Sequence, residues 1–204
     1  MAYESELILS TDLGEFFRDQ VNEASTKAGL SLQEATEFYL VNMLCDFSKP
    51  ECVSKLQHEP LAFIYKNAVD ALTPVEQVDA LKRLGDVALY MAGFFSDFIE
   101  RSLVDLDYYI SMGGGAYSSL SSIIGTQRQG EIFADLYMDL AEQFTGLVEI
   151  LNVISEATGI HSPREADLVK LYERWSRTGS ERIERLLFER GFMPKGRLPK
   201  DFIQ

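Results

Sequence analysis

Apolar residues recur every three to four positions along nearly the whole chain, the period of a helix face; no stretch alternates as a strand does. Leu13, Phe16, Phe17, Val21 and Ala24 predict an amphipathic helix over 12–28, ended by Gly29. Ser31-Leu32-Gln33-Glu34 reads as a capping box opening a second helix, which carries Leu32, Ala35, Phe38, Tyr39, Val41, Met43 and Leu44 and stops before Pro50. A loop or short helix follows, then a modest helix from Leu61 to about Leu72. Thr73-Pro74-Val75-Glu76 combines an N-cap Thr, Pro at N1 and Glu at N3, and predicts a long helix running to about Arg101. After a break near 102–105, a helix is expected over 106–125. Ile132, Leu136, Leu140, Phe144, Leu147, Leu151 and Ile154 predict one long helix over 131–158, with Gly159 at C′. Ser162-Pro163 starts a further helix holding Leu168, Leu171, Tyr172 and Trp175, and Ser180 caps a last short one. Residues 192–204 contain Pro194, Gly196 and Pro199 and read as an extended tail. The expected fold is all-α, a single domain over 1–204 forming a bundle of about seven or eight helices.

The segment 81–125 organises this pattern. It contains the longest apolar run, Val87 to Phe95, and two rows of mostly small residues, Gly85/Leu89/Gly93 and Ala88/Ala92/Ser96. A glycine inside a helix costs about 1 kcal/mol against alanine, so two of them imply that something approaches the backbone closely. Ser111, Gly114, Gly115, Ser118, Ser119 and Ser122 make a second stripe of small residues. The two helices are therefore expected to form a closely packed Gly/Ser/Tyr-rich central pair, with Tyr90, Tyr108, Tyr109 and Tyr117 around the crossing. The run Gly113-Gly114-Gly115 invites a phosphate-loop reading. No strand precedes it and no Lys followed by Ser or Thr stands in the required spacing, so a kinked or tightly packed helix is the better expectation.

Composition narrows the function classes. Hydrophobic residues at 46% and charged residues at 25% are those of a soluble globular domain. No apolar run approaches the roughly 18 residues of a membrane span, and the first residues lack the features of a signal peptide, so a cytoplasmic, bacterial-style protein is expected, with no membrane partner. The formal net charge of −13 argues against nucleic acid as a partner. The charge is uneven: residues 1–160 hold 9 Lys+Arg against 25 Asp+Glu, a net −16, whereas residues 161–204 hold 10 against 7, a net +3. The basic segment could meet an acidic face of its own chain, of a second copy or of another protein.

Several residues look like landmarks of a group: Leu84-Gly85-Asp86, Gly93-Phe94-Phe95, Tyr108-Tyr109, Gly115-Ala116-Tyr117, Leu171-Tyr172-Glu173-Arg174-Trp175 and Thr178-Gly179. Over residues 75–194 the chain resembles a group of bacterial all-α proteins to which no function is assigned. The resemblance implies a helical fold and carries over no catalytic residue, cofactor or substrate.

The candidate chemistry is sparse. Cys45 and Cys52 lack CxxC spacing and a matching His pair, so reduced structural thiols are expected. A carboxylate-bridged di-iron centre needs Glu three residues before His, but Lys55 and Thr158 stand before His58 and His161. No metal and no cofactor is expected. Asp86, between Gly85 and the apolar run, should be partly buried and must find donors there. Tyr90, Tyr109 and Tyr117 are the expected donors and, with Asp86, the candidate ligand-binding residues; Arg83, Asp105, Asp107 and Tyr108 lie nearby in sequence. Two function classes follow. One is a protein-interaction or homo-oligomeric module in which Asp86 fixes a helix crossing. The other is a small-ligand-binding protein or enzyme with a pocket around Asp86, the glycines leaving room for the ligand.

Overall fold

The computed structural model describes residues 2–49, 60–99, 105–126 and 130–158, with the backbone alone for 2–12, 97 and 98. Contacts divide the chain into two compact units, Met1–Thr158 and Gly159–Gln204. The expected helices after Ser162 and Ser180, the Trp175 anchor and the tail lie outside the described residues, as do Cys52, His58 and His161. The first unit is all-α, and no strand occurs among its described residues. Its helices are α1 (Ala2–Ala28), α2 (Glu34–Phe47), α3 (Leu61–Val69), α4 (Pro74–Phe94), the single turn α5 (Ser96–Ile99), α6 (Leu106–Gly125), α7 (Glu131–Glu142) and α8 (Phe144–Thr158).

Local chemistry accounts for most boundaries. Gly29 adopts φ 66°, and the Leu30 and Gly29 N–H groups donate to the Ser25 and Thr26 carbonyls at 3.0 and 3.2 Å, the Schellman closure that glycine permits. Thr73 Oγ1 accepts from the Glu76 N–H while Glu76 Oε2 accepts from the Thr73 N–H, each at 3.2 Å, so the expected capping box forms. Asp105 Oδ1 caps α6 by accepting from the Tyr108 N–H at 3.0 Å.

Several boundaries depart from the sequence reading: α1 begins at Ala2, ten residues before the expected start at 12, and α3 ends at Val69 rather than near Leu72. Ser31 does not cap α2: the helix begins at Glu34, its N-cap is Gln33, and no side chain caps it. α4 ends at Phe94, short of Arg101; there the Ser155 hydroxyl donates to the Phe94 carbonyl at 3.5 Å, and the Ser96 hydroxyl donates to Asn152 Oδ1 at 3.0 Å. The first of these bonds to α8 satisfies the Phe94 carbonyl, which a continuing helix would have used. The single helix expected over 131–158 is two, interrupted at Gln143, where the Gln143 side chain folds back onto Asp139.

α4 is the axis of the unit. Every residue from Leu84 to Phe94 is buried, as in a helix surrounded on all sides. It packs against α3, α6 and α8, while α6 packs in turn on α7, and α1 on α2 and α8. The expected close crossing of α4 and α6 is present, and its glycines are filled. A Cβ on Gly85 would stand 2.4 Å from Tyr117 Cε1, and one on Gly113 would stand 2.2 Å from Phe144 Cζ. Gly93 meets α8 instead, with Leu151 Cβ 2.3 Å from where its own Cβ would be.

The small-residue stripe of α6, however, does not face α4. The buried face is Gly113, Ala116, Tyr117, Leu120 and Ser121, whereas Ser111, Gly115, Ser119 and Ser122 are exposed. Ser119 and Ser122 spend their hydroxyls on their own helix, donating to the Gly115 and Ser118 carbonyls at 2.8 and 3.0 Å. The triple glycine is neither loop nor break: α6 runs through it, and only its first member makes a close approach.

Candidate functional site

Asp86 sits on the fully buried part of α4 and is 7% exposed. Its neighbours come from four helices. Tyr117 of α6 donates its hydroxyl to Oδ1 at 2.7 Å. Tyr39 of α2 donates to the same oxygen at 2.5 Å. Lys82, one turn earlier on α4, donates its ammonium to Oδ2 at 2.7 Å. Tyr137 of α7 closes the group through its ring, centred 6.0 Å from Tyr117 and 5.8 Å from Tyr39. Tyr39 also stands edge-on to Tyr117 at 6.2 Å, and the Lys82 ammonium lies 5.3 Å from the Tyr39 ring centre. Burying a carboxylate is expensive unless donors replace water, and here two phenols and one ammonium do so.

The electrostatics define what this group can do. Burial, and then the neighbouring Asp86 charge, pushes the hydroxyls of Tyr117 and Tyr39 far above the ordinary tyrosine range. Burial also raises Tyr137, partly offset by the Lys82 charge. For Lys82, burial alone would favour the neutral amine, but the Asp86 charge and hydrogen bond outweigh it and raise its pKa. A general base or nucleophile at neutral pH needs a phenol or amine pushed down toward 7. These shifts run the other way. They hold the tyrosines as neutral donors and Lys82 as a cation, both matched to a carboxylate acceptor.

Of the residues singled out in sequence, Tyr117 meets Asp86 and the others lie elsewhere. Tyr90 packs in an aromatic cluster, its ring 4.5 Å from Phe47 and 4.8 Å from Phe94. Tyr109 is half-buried and packs edge-on against Tyr108 at 5.9 Å; its hydroxyl is raised by burial and then by Tyr108. Asp105 is spent as the α6 cap, and Asp107 is exposed. The glycines do not leave the expected room, because Tyr117 occupies the face of Gly85 and Leu151 that of Gly93. A cavity of about 590 Å³ lies instead between α1 and α2, lined by Arg18, Glu34, Ala35, Glu37 and Phe38.

Sequence reasoning missed Tyr39, Lys82 and Tyr137. Lys82 carried a usable signal, since it stands four residues before Asp86 on one helix face. Tyr39 had only its place beside the apolar residues of α2. A second buried carboxylate was also missed. Asp139 of α7 is 9% exposed. Its Oδ2 accepts from the Thr36 hydroxyl, and its Oδ1 accepts from the Gln143 and Gln33 amides at 2.6 and 3.3 Å. Thr36 and Tyr39 are three residues apart on α2, so this helix is tied by hydroxyls to both carboxylates.

Among the described residues, no group of three His, Cys, Asp or Glu side chains converges as metal ligands would, and no helix is long and apolar enough to cross a membrane. No family model, curated protein or solved structure matches the chain.

Proposed function

We propose that this is a helical interaction module of the bacterial cytoplasm, binding a partner protein or a second copy of itself, in which the Asp86 centre is a structural lock. The carrying observation is the closure of that centre. Both Asp86 oxygens are taken, the adjacent Gly85 face is filled by Tyr117, and the shifts of Tyr39, Tyr117 and Lys82 oppose acid–base work near pH 7. Association is supported by apolar side chains at the corner between α3 and α4, where Leu72 is 93% exposed and Val69 and Val75 are exposed beside it. It is also supported by the division of charge between residues 1–160 and 161–204. The resemblance to the bacterial all-α group belongs to the same reading.

Light scattering on the full chain at low and high ionic strength tests it. A self-associating module gives a mass above the 23.0 kDa monomer that falls with salt, because screening weakens contacts between opposite charges. A monomer at both ionic strengths removes the homo-oligomeric form and leaves the partner protein. A small molecule that binds at Asp86 would overturn the reading altogether.

A further inference from the structure

We draw no further inference here: the strongest candidate, the cavity between α1 and α2 lined by Arg18, Glu34, Ala35, Glu37 and Phe38, joins two acidic residues of the first turn of α2 to one exposed aromatic ring, and nothing in the structure shows what covers it.

Discussion

Asp86 and Asp139 are buried to nearly the same degree, yet they are compensated differently. Asp86 is held by two phenols and by a cation, which has no lone pair and can only donate. Asp139 is held by a threonine hydroxyl and two glutamine amides, neutral groups that can donate or accept after rotation. The settings differ too. Asp86 lies against the Gly85–Tyr117 contact at the crossing of α4 and α6, whereas Asp139 lies at the interruption between α7 and α8. Equal burial therefore does not mean equal tolerance. The centre of the bundle should be unforgiving of chemical change, and the interruption should adapt.

The largest expected difference comes from removing the principal side chain of each centre. Tyr117→Ala empties the space against Gly85, removes one donor to Asp86, and should cost about 3–5 kcal/mol. Thr36→Ala leaves both amides on Asp139 and should cost about 1–2 kcal/mol. Urea midpoints of the two variants check the ranking, and equal losses would dissolve the contrast.

Alkaline pH should strike one centre only. The folded pKa values of Tyr39 and Tyr117 are raised, so above the ordinary tyrosine value of 10.0 the unfolded chain releases protons that the folded chain keeps. Their contribution is full below pH 10 and is lost as pH rises past it, at about 1.4 kcal/mol per pH unit for each phenol. Raised Lys82 acts in the same direction above 10.5. Denaturant midpoints between pH 9 and pH 11.5 should fall steeply in the parent and less steeply in Tyr117→Phe. Parallel curves would show that the phenol is not held neutral as described.

Asparagine substitutions sharpen the comparison at smaller amplitude. In Asp86→Asn, the Lys82 ammonium loses its charged partner and the two phenols must rotate to accept from the new amide, so a cost of about 1.5–3 kcal/mol is expected. In Asp139→Asn, the Thr36 hydroxyl can reverse and accept from the new amide, which should hold the cost to about 1 kcal/mol or less. A reversed order in calorimetric melting would contradict the assignment of donors.

The smallest effect separates two neighbouring glycines. Gly115→Ala meets open space on an exposed helix face and should stabilise by up to about 1 kcal/mol. Gly113→Ala drives a methyl into Phe144 and Ala88 and should destabilise. If both substitutions stabilise, α6 does not face α4 as described.

What could be read in the sequence was whatever local spacing decides. The helical class follows from the apolar period, the α4 start from Thr73 and Glu76, and the burial of Asp86 from its place beside the Val87–Phe95 run. Tyr117 was among the residues foreseen around that carboxylate. What could not be read depends on rotation about a helix axis or on distant parts of the chain. Three consecutive glycines offer three possible inward faces, and spacing alone favoured the stripe through Gly114, Gly115, Ser118 and Ser119 over the true face through Gly113 and Tyr117. Tyr39 reaches Asp86 across 47 positions, and Thr36 reaches Asp139 across 103, separations over which no periodicity argument extends. Ser31 failed as a cap although its spacing to Glu34 was correct, because α2 begins three residues later.

Thermal-shift measurement of the parent and Asp86→Asn side by side decides whether Asp86 is a lock or a site. Both proteins would be challenged with the same panel of metabolites, nucleotides and divalent metals. A structural lock predicts that Asp86→Asn melts at a lower temperature without any compound, and that no compound shifts the parent while leaving the variant unmoved. A compound that raises the parent's midpoint and loses all effect on a folded Asp86→Asn protein would contradict it.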